Sequence, residues 1–137
     1  MILALIAIAI VPPGALNPAV TQDTINQTIC VRGWTGTVRP PMGYTSALKR
    51  KQMRAAHLSG SPRNYEEDHF IPLELGGAPS DPNNLWPEPM TGIGGAKAKD
   101  RLENHLRSEV CAGRLTLDAA QKAITIDWRN ATIAHRR

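Results

Sequence analysis

The sequence contains few cysteines, no membrane-length apolar run and no internal repeat. Cys30 and Cys111 are the only cysteines. Neither belongs to a Cys-x-x-Cys pair, so a zinc knuckle or a redox motif has almost no support. The uncharged apolar stretch at 1–11 is shorter than the roughly 20 residues that span a bilayer, and we expect no stable membrane span. At 137 residues the chain suits one domain, so we look for a single site.

The N-terminal stretch is typical of an export signal. Its apolar residues end at Pro12-Pro13, and Ala7-Ile8-Ala9 offers the small residues that a signal peptidase reads. A positively charged start is missing, so an uncleaved tether or a buried N-terminal strand stays open as an alternative. Export predicts a periplasmic or extracellular protein, in which a disulfide between Cys30 and Cys111 is favoured over two free thiols.

The charge balance is mildly basic. Sixteen Lys and Arg against twelve Asp and Glu give a formal charge of +4 and a pI near 9.4. This suits a polyanionic partner without requiring one. Basic residues cluster at 49–54 and again at Arg129 and Arg136-Arg137. Solvated helix faces or tails are the plain alternative for such clusters.

The N-terminal half predicts two helices and one extended segment. Asn17-Pro18 is typical of a helix start, with the asparagine as cap and the proline in the first turn. Trp34 to Val38 alternates in β-favouring residues and stops at two prolines, which predicts a strand or extended arm. Thr45 then caps a predicted helix over 46–57.

The C-terminal half predicts two extended segments and two helices. Residues 65–69 form a candidate strand, a loop follows at 76–82, and a second extended piece begins at Asn84. Residues 96–110 predict the best helix, with apolar residues four apart along one face. Thr116 caps a last helix with another apolar stripe. The sequence therefore predicts one α+β domain over 14–128, with a core at 65–110 and a polar tail at 129–137.

The order strand, glycine-rich loop, strand, helix carries a specific set of residues. Asp68-His69 is followed by Ile71-Pro72-Leu73, by Gly76-Gly77 and by Asn84-Leu85-Trp86. This ordered combination resembles the core of HNH nucleases. The resemblance covers about a third of the chain and implies a ββα-metal fold, a hairpin plus a helix, with additional flanking helices. The flanking segments also resemble small exported bacterial proteins that carry this core.

The resemblance implies roles for three residues. His69 matches the general base that activates water for phosphodiester hydrolysis, a task that a neutral imidazole suits. Asn84 matches the residue that fixes the His69 ring from the opposing strand. Asp68 matches a metal-binding aspartate of some members, and an oxygen ligand suits Mg²⁺. The plain alternatives are a structural histidine, a turn-forming asparagine and a solvated strand end.

The helix departs from the family pattern. Members place a His or Asn early on this helix as a second metal ligand, whereas this chain offers Lys97 and Lys99, and a protonated lysine cannot coordinate. Asp100 is our candidate for the missing oxygen. Later candidates on the same helix are Glu103, Asn104 and His105. The alternative for Asp100 and Glu103 is pairing with basic neighbours in exposed helical ion pairs.

Three functional hypotheses follow. The first is an exported, monomeric HNH-type endonuclease that cuts nucleic acid, DNA rather than RNA, with one Mg²⁺. In this hypothesis Lys97, Lys99 and Arg63 contact the phosphate backbone. The second is a catalytically silent scaffold of the same fold that binds nucleic acid or an envelope component. The third is a disulfide-stapled structural domain of the envelope.

Overall fold

The computed structural model describes the backbone of residues 11–90 and 96–134. It describes the side chains of the same residues except 96–98 and 127–134. The described chain is α+β, as expected. Its four α-helices are α1 (Trp34–Val38), α2 (Met42–Ala55), α3 (Ala96–Cys111) and α4 (Leu117–Ala134). Its two strands are β1 (Tyr65–His69) and β2 (Leu85–Pro89). The predicted export signal lies mostly outside the described residues.

The two strands form an antiparallel hairpin, which confirms both predicted extended pieces. In the register, Glu66 lies opposite Glu88 and Asp68 lies opposite Trp86. Opposed residues of an antiparallel pair project to the same face of the sheet. The hairpin therefore presents Glu66, Asp68 and Glu88 together on one face.

The connection between the strands needs both glycines of the Gly-Gly pair. Gly76 has a φ of 85°, in the left-handed region that glycine adopts most readily. A Cβ on Gly77 would lie 1.7 Å from the carbonyl oxygen of Ile71, so only glycine fits there. The N-terminal arm also pairs with this connection, because Leu16 forms an isolated antiparallel bridge with Gly77.

α3 and α4 pack on the N-terminal segment to form the main core. As predicted, Leu106 and Val110 of α3 and Leu117, Ala120 and Ile124 of α4 are buried in one cluster. Thr116 caps α4 by accepting a hydrogen bond at Oγ1 from the backbone of Ala119, at 3.1 Å. The backbone stays helical to Ala134, past the predicted start of the polar tail at Arg129.

The predicted disulfide is confirmed. Cys30 and Cys111 are bonded, with their Cα atoms 5.7 Å apart. The bond joins the end of the N-terminal segment to the last residue of α3. Both cysteines flank the main core, where Ile29 and Val110 are almost fully buried.

The prediction of a strand at Trp34 to Val38 is wrong, because this segment is the short helix α1. Gly33 precedes it with a φ of 82°, which turns the chain into the helix. Trp34 packs against the main core, and Thr37 donates its hydroxyl to the Trp34 carbonyl at 2.6 Å. β-propensity depends on a partner strand, and in the described chain the sheet consists of β1 and β2 alone.

Two predicted helix starts are also displaced. Asn17 caps only a local turn, accepting from the backbone of Ala19 at 3.0 Å, and the following 3₁₀ helix is Gln22–Gln27. α2 begins at Met42 rather than at residue 46, because Pro41 already has the φ that a helix start requires. Thr45 lies inside α2 and donates to the Met42 carbonyl at 3.2 Å.

Candidate functional site

A cleft of about 350 Å³ opens where the end of β1 meets α1 and α3. Three of the residues predicted for the site, Asp68, His69 and Asp100, line it together. The remaining lining residues are Thr35, Arg39, Glu66, Pro72, Leu73, Glu74, Glu103 and Asn104. The fold therefore brings the predicted base and both predicted metal ligands to one surface.

His69 is buried at the end of β1 and is held by a main-chain oxygen. Its Nε2 lies 2.8 Å from the carbonyl oxygen of Pro79. A carbonyl only accepts, so Nε2 carries the hydrogen and a neutral ring has its lone pair on Nδ1. Burial lowers the pKa of His69, and the Pro79 carbonyl and Asp68 offset this only in part. The ring is therefore a neutral base at physiological pH.

The predicted contact between Asn84 and the His69 ring is wrong. Asn84 is fully buried and bonds only main-chain groups. Its Oδ1 accepts from the Ile71 amide at 2.9 Å, and its Nδ2 donates to the carbonyls of Ile71 and Ala78 at 3.0 and 2.9 Å. Asn84 therefore staples the loop between the strands. Ala78 directly precedes Pro79, whose carbonyl contacts the His69 ring. Through its bond to Ala78, Asn84 therefore helps to position that carbonyl.

Lys99 occupies an unexpected place. We expected it on the surface, in contact with phosphate, but it is 2% exposed. Its ammonium forms an ion pair with Asp68, donates to the His69 carbonyl at 2.6 Å and lies 3.5 Å from Glu103. Burial lowers the pKa of Lys99, but Asp68 and Glu103 outweigh it and raise the pKa overall. Lys99 is therefore a buried cation beside the predicted metal ligand.

Several carboxyls around this cation have raised pKa values. Burial, with a smaller contribution from Asp68, raises the pKa of Glu103 to about 8 against the opposing effect of Lys99. Burial and a hydrogen bond with Asp68 raise the pKa of Glu88 to about 9. Burial also raises the pKa of Glu66 and Glu74. These carboxyls hold protons more tightly than usual because burial disfavours their charged form.

Of the other predicted residues, Glu103 and Asn104 line the cleft and Arg63 and His105 do not. Arg63 is exposed in the 3₁₀ turn before β1 and is not a lining residue. The side chain of Lys97 lies outside the described residues. Asn104 lines the cleft, whereas His105 is exposed and does not. Trp86 is buried with Phe70 and Ile71 in a second apolar cluster.

The sequence analysis missed the side of the cleft formed by α1. Thr35 and Arg39 line it, but a strand predicted at Trp34 to Val38 gave no reason to place them near His69. No signal in the sequence placed them there, since Arg39-Pro40 predicts only an extended backbone at the residue before proline. Arg39 has a φ of −59° and a ψ of 128°, which fits that restriction.

The donor set fits a divalent ion in its chemistry but is not preassembled. Asp68 and Asp100 supply the carboxylate oxygens that Mg²⁺ prefers, and both line the cleft. However, within residues 11–90 and 96–134, no group of three His, Cys, Asp or Glu side chains is arranged to hold a metal ion. At present Lys99 pairs with Asp68.

In the part of the chain that the structure describes, no helix is long and apolar enough to cross a membrane. Comparison of the chain with protein-family models, with curated proteins and with solved structures finds no match.

Proposed function

We propose that this protein is an exported HNH-type endonuclease that hydrolyses phosphodiester bonds of nucleic acid, with His69 as general base. One observation carries the proposal. His69 is a neutral imidazole, oriented by the Pro79 carbonyl at 2.8 Å, that lines a cleft shared with Asp68 and Asp100. A base of this kind contributes roughly 10²–10⁴ in rate.

The local architecture supports the ββα-metal interpretation. β1 and β2 form the hairpin, α3 follows in the chain, and Asp100 brings the start of α3 to the cleft. The loop between the strands holds the ring partner of His69, and Asn84 staples that loop. The Asp-His, Gly-Gly and Asn-Leu elements of the sequence thus each have a structural task at one site.

We assign Asp68 and Asp100 as the residues that would hold Mg²⁺. When bound, the ion would supply positive charge that offsets the charge developing on the phosphoryl oxygens. Lys99 would have to leave Asp68 for this to happen, or to share that carboxylate with the ion. The ring orientation of His69 does not depend on this exchange, because the Pro79 carbonyl holds Nε2.

The proposed substrate is nucleic acid, DNA rather than RNA, bound by a monomer outside the cytoplasm. The formal charge of +4 and the exposed Arg63 support attraction of a polyanion, and Lys97 stays a predicted phosphate contact. The disulfide supports the oxidising compartment that export implies.

Plasmid nicking tests this function directly. We expect supercoiled DNA to be nicked with Mg²⁺ and not with EDTA, and His69→Ala to lower the rate by about 10²–10⁴. The matched control is His105→Ala, an exposed histidine outside the cleft, which should cut normally. The rate should rise with pH through a pKa below 6.5, the ordinary value of a histidine. Full activity of His69→Ala would refute the assignment.

A second candidate is a catalytically silent nucleic-acid-binding domain of the same fold. The ion pair between Lys99 and Asp68 favours it, because a resident ammonium already neutralises the carboxylate that would bind the metal. Salt-sensitive DNA binding without nicking under any metal would support this candidate. Absence of both binding and nicking would leave the structural envelope domain.

A further inference from the structure

The cleft presents a charge problem to any polyanionic substrate. Its lining carries five carboxyl side chains, those of Glu66, Asp68, Glu74, Asp100 and Glu103. A phosphate that approaches His69 must pass close to these groups, and those that are ionised repel it. Binding therefore needs a cation at the same surface that is not already paired with a carboxylate of the protein.

Lys99 does not meet that need. It is 2% exposed, and its ammonium already contacts Asp68, Glu103 and the carbonyl of His69. Because Lys99 is buried and paired with these neighbours, its charge is not available to a ligand. The cation that meets the substrate must be another residue.

Among the described residues that line the cleft, Arg39 is the one arginine or lysine. Its side chain is exposed, and it forms no ion pair with any described carboxylate. Burial is the largest cause of both pKa shifts: it lowers the pKa of His69 and raises that of Glu66. The charge of Arg39 makes a smaller contribution that lowers both pKa values. The guanidinium therefore lies within electrostatic reach of the proposed base.

The backbone of Arg39 is held in place. Its amide donates to the Thr35 carbonyl at 3.1 Å, closing the end of α1, and Pro40 restricts its conformation. Trp34, at the start of the same helix, packs against the main core. This support orders the Cα of Arg39 and leaves the guanidinium to reach into the cleft.

From this arrangement we propose that Arg39 forms the phosphate-binding subsite of the cleft and holds the phosphodiester beside His69. A guanidinium matches phosphate with a planar, two-pronged set of donors. The inference rests on the proposed function and adds to it a substrate-binding residue that the sequence motif does not include.

Steady-state cleavage of a DNA duplex tests the subsite. We expect Arg39→Ala to lower kcat/KM by about 10- to 100-fold, the range for loss of a charge-assisted hydrogen bond, without a change in Tm. Arg39→Lys should restore part of the loss, because it keeps the charge without the planar donors. The matched control is Arg32→Ala, which removes an exposed arginine that does not line the cleft. Unchanged cleavage by Arg39→Ala, with His69→Ala inactive, would overturn the subsite and leave the proposed function standing.

A binding assay tests the subsite even if no cleavage is found. A short mixed-sequence DNA duplex is titrated against His69→Ala and against His69→Ala with Arg39→Ala, over a range of salt concentrations. Loss of one phosphate contact should weaken binding and reduce the slope of log affinity against log salt by about 0.9. Equal affinities and slopes, or no binding by either protein, would overturn the subsite.

Discussion

Asn84 offers the sharpest test of how this site is held together. Asn84→Ala would strip the partner from three buried main-chain groups, the Ile71 amide and the carbonyls of Ile71 and Ala78. Each buried polar group left unpaired costs about 1–3 kcal/mol. The sum is about 3–9 kcal/mol, and relaxation of the loop favours its lower half. We therefore expect a loss of at least about 3 kcal/mol, a large share of the about 5–15 kcal/mol typical of a domain.

Urea unfolding at neutral pH in EDTA measures this loss. The matched control is Asn83→Ala, an exposed neighbour in the same 3₁₀ turn, which should change the free energy of unfolding by less than about 0.5 kcal/mol. Loosening the loop should also move the pKa of His69 up toward its ordinary value as water reaches the ring, and NMR of the imidazole protons would follow this. A free energy of unfolding within about 1 kcal/mol of wild type would refute the stapling role.

Two further predictions concern the disulfide and the buried carboxyls. The bond between Cys30 and Cys111 spans 81 positions, so the chain-entropy relation gives a loss of about 4.5 kcal/mol in the free energy of unfolding when it is removed. The double variant Cys30→Ala with Cys111→Ala should show most of this loss in urea unfolding. An unchanged urea midpoint would contradict this prediction. Glu88 ionises near 4.5 when unfolded and at about 9 when folded, so the folded state retains a proton that the unfolded state releases and the free energy of unfolding should fall as pH rises across this window. Glu88→Gln, which can still donate to Asp68, should reduce that fall in EDTA, and an identical pH dependence would contradict the burial argument.

The elements that the sequence predicted correctly are those with local signals. The hairpin strands are bounded by turn residues, α3 and α4 carry apolar stripes at helical spacing, and a pair of cysteines allows one intramolecular bond. α1 was missed because its β-favouring residues have no partner strand. Trp34 packs into the core instead, and Gly33 supplies the turn into a helix.

The candidate site was predictable in part of its membership and not in its contacts. The resemblance to the HNH core implied that Asp68, His69 and Asp100 share one site, and all three line one cleft. The sequence alone could not show that the side-chain amide of Asn84 bonds main-chain groups of a loop, because those partners depend on the path of that loop. It also could not show that Lys99 is buried, since its partner Asp68 lies on another element, 31 positions away.

The contrast between Lys99 and Arg39 explains how an acidic cleft can serve an anionic substrate. A buried ammonium ringed by carboxylates is retained because breaking one side of such a group leaves the other charge uncompensated. Its charge therefore stabilises the site and is not available to a ligand. An exposed guanidinium on a rigid backbone is available to a ligand, since it loses little hydration free energy when it binds phosphate. Removal of Lys99 should thus damage folding first, whereas removal of Arg39 should damage binding alone.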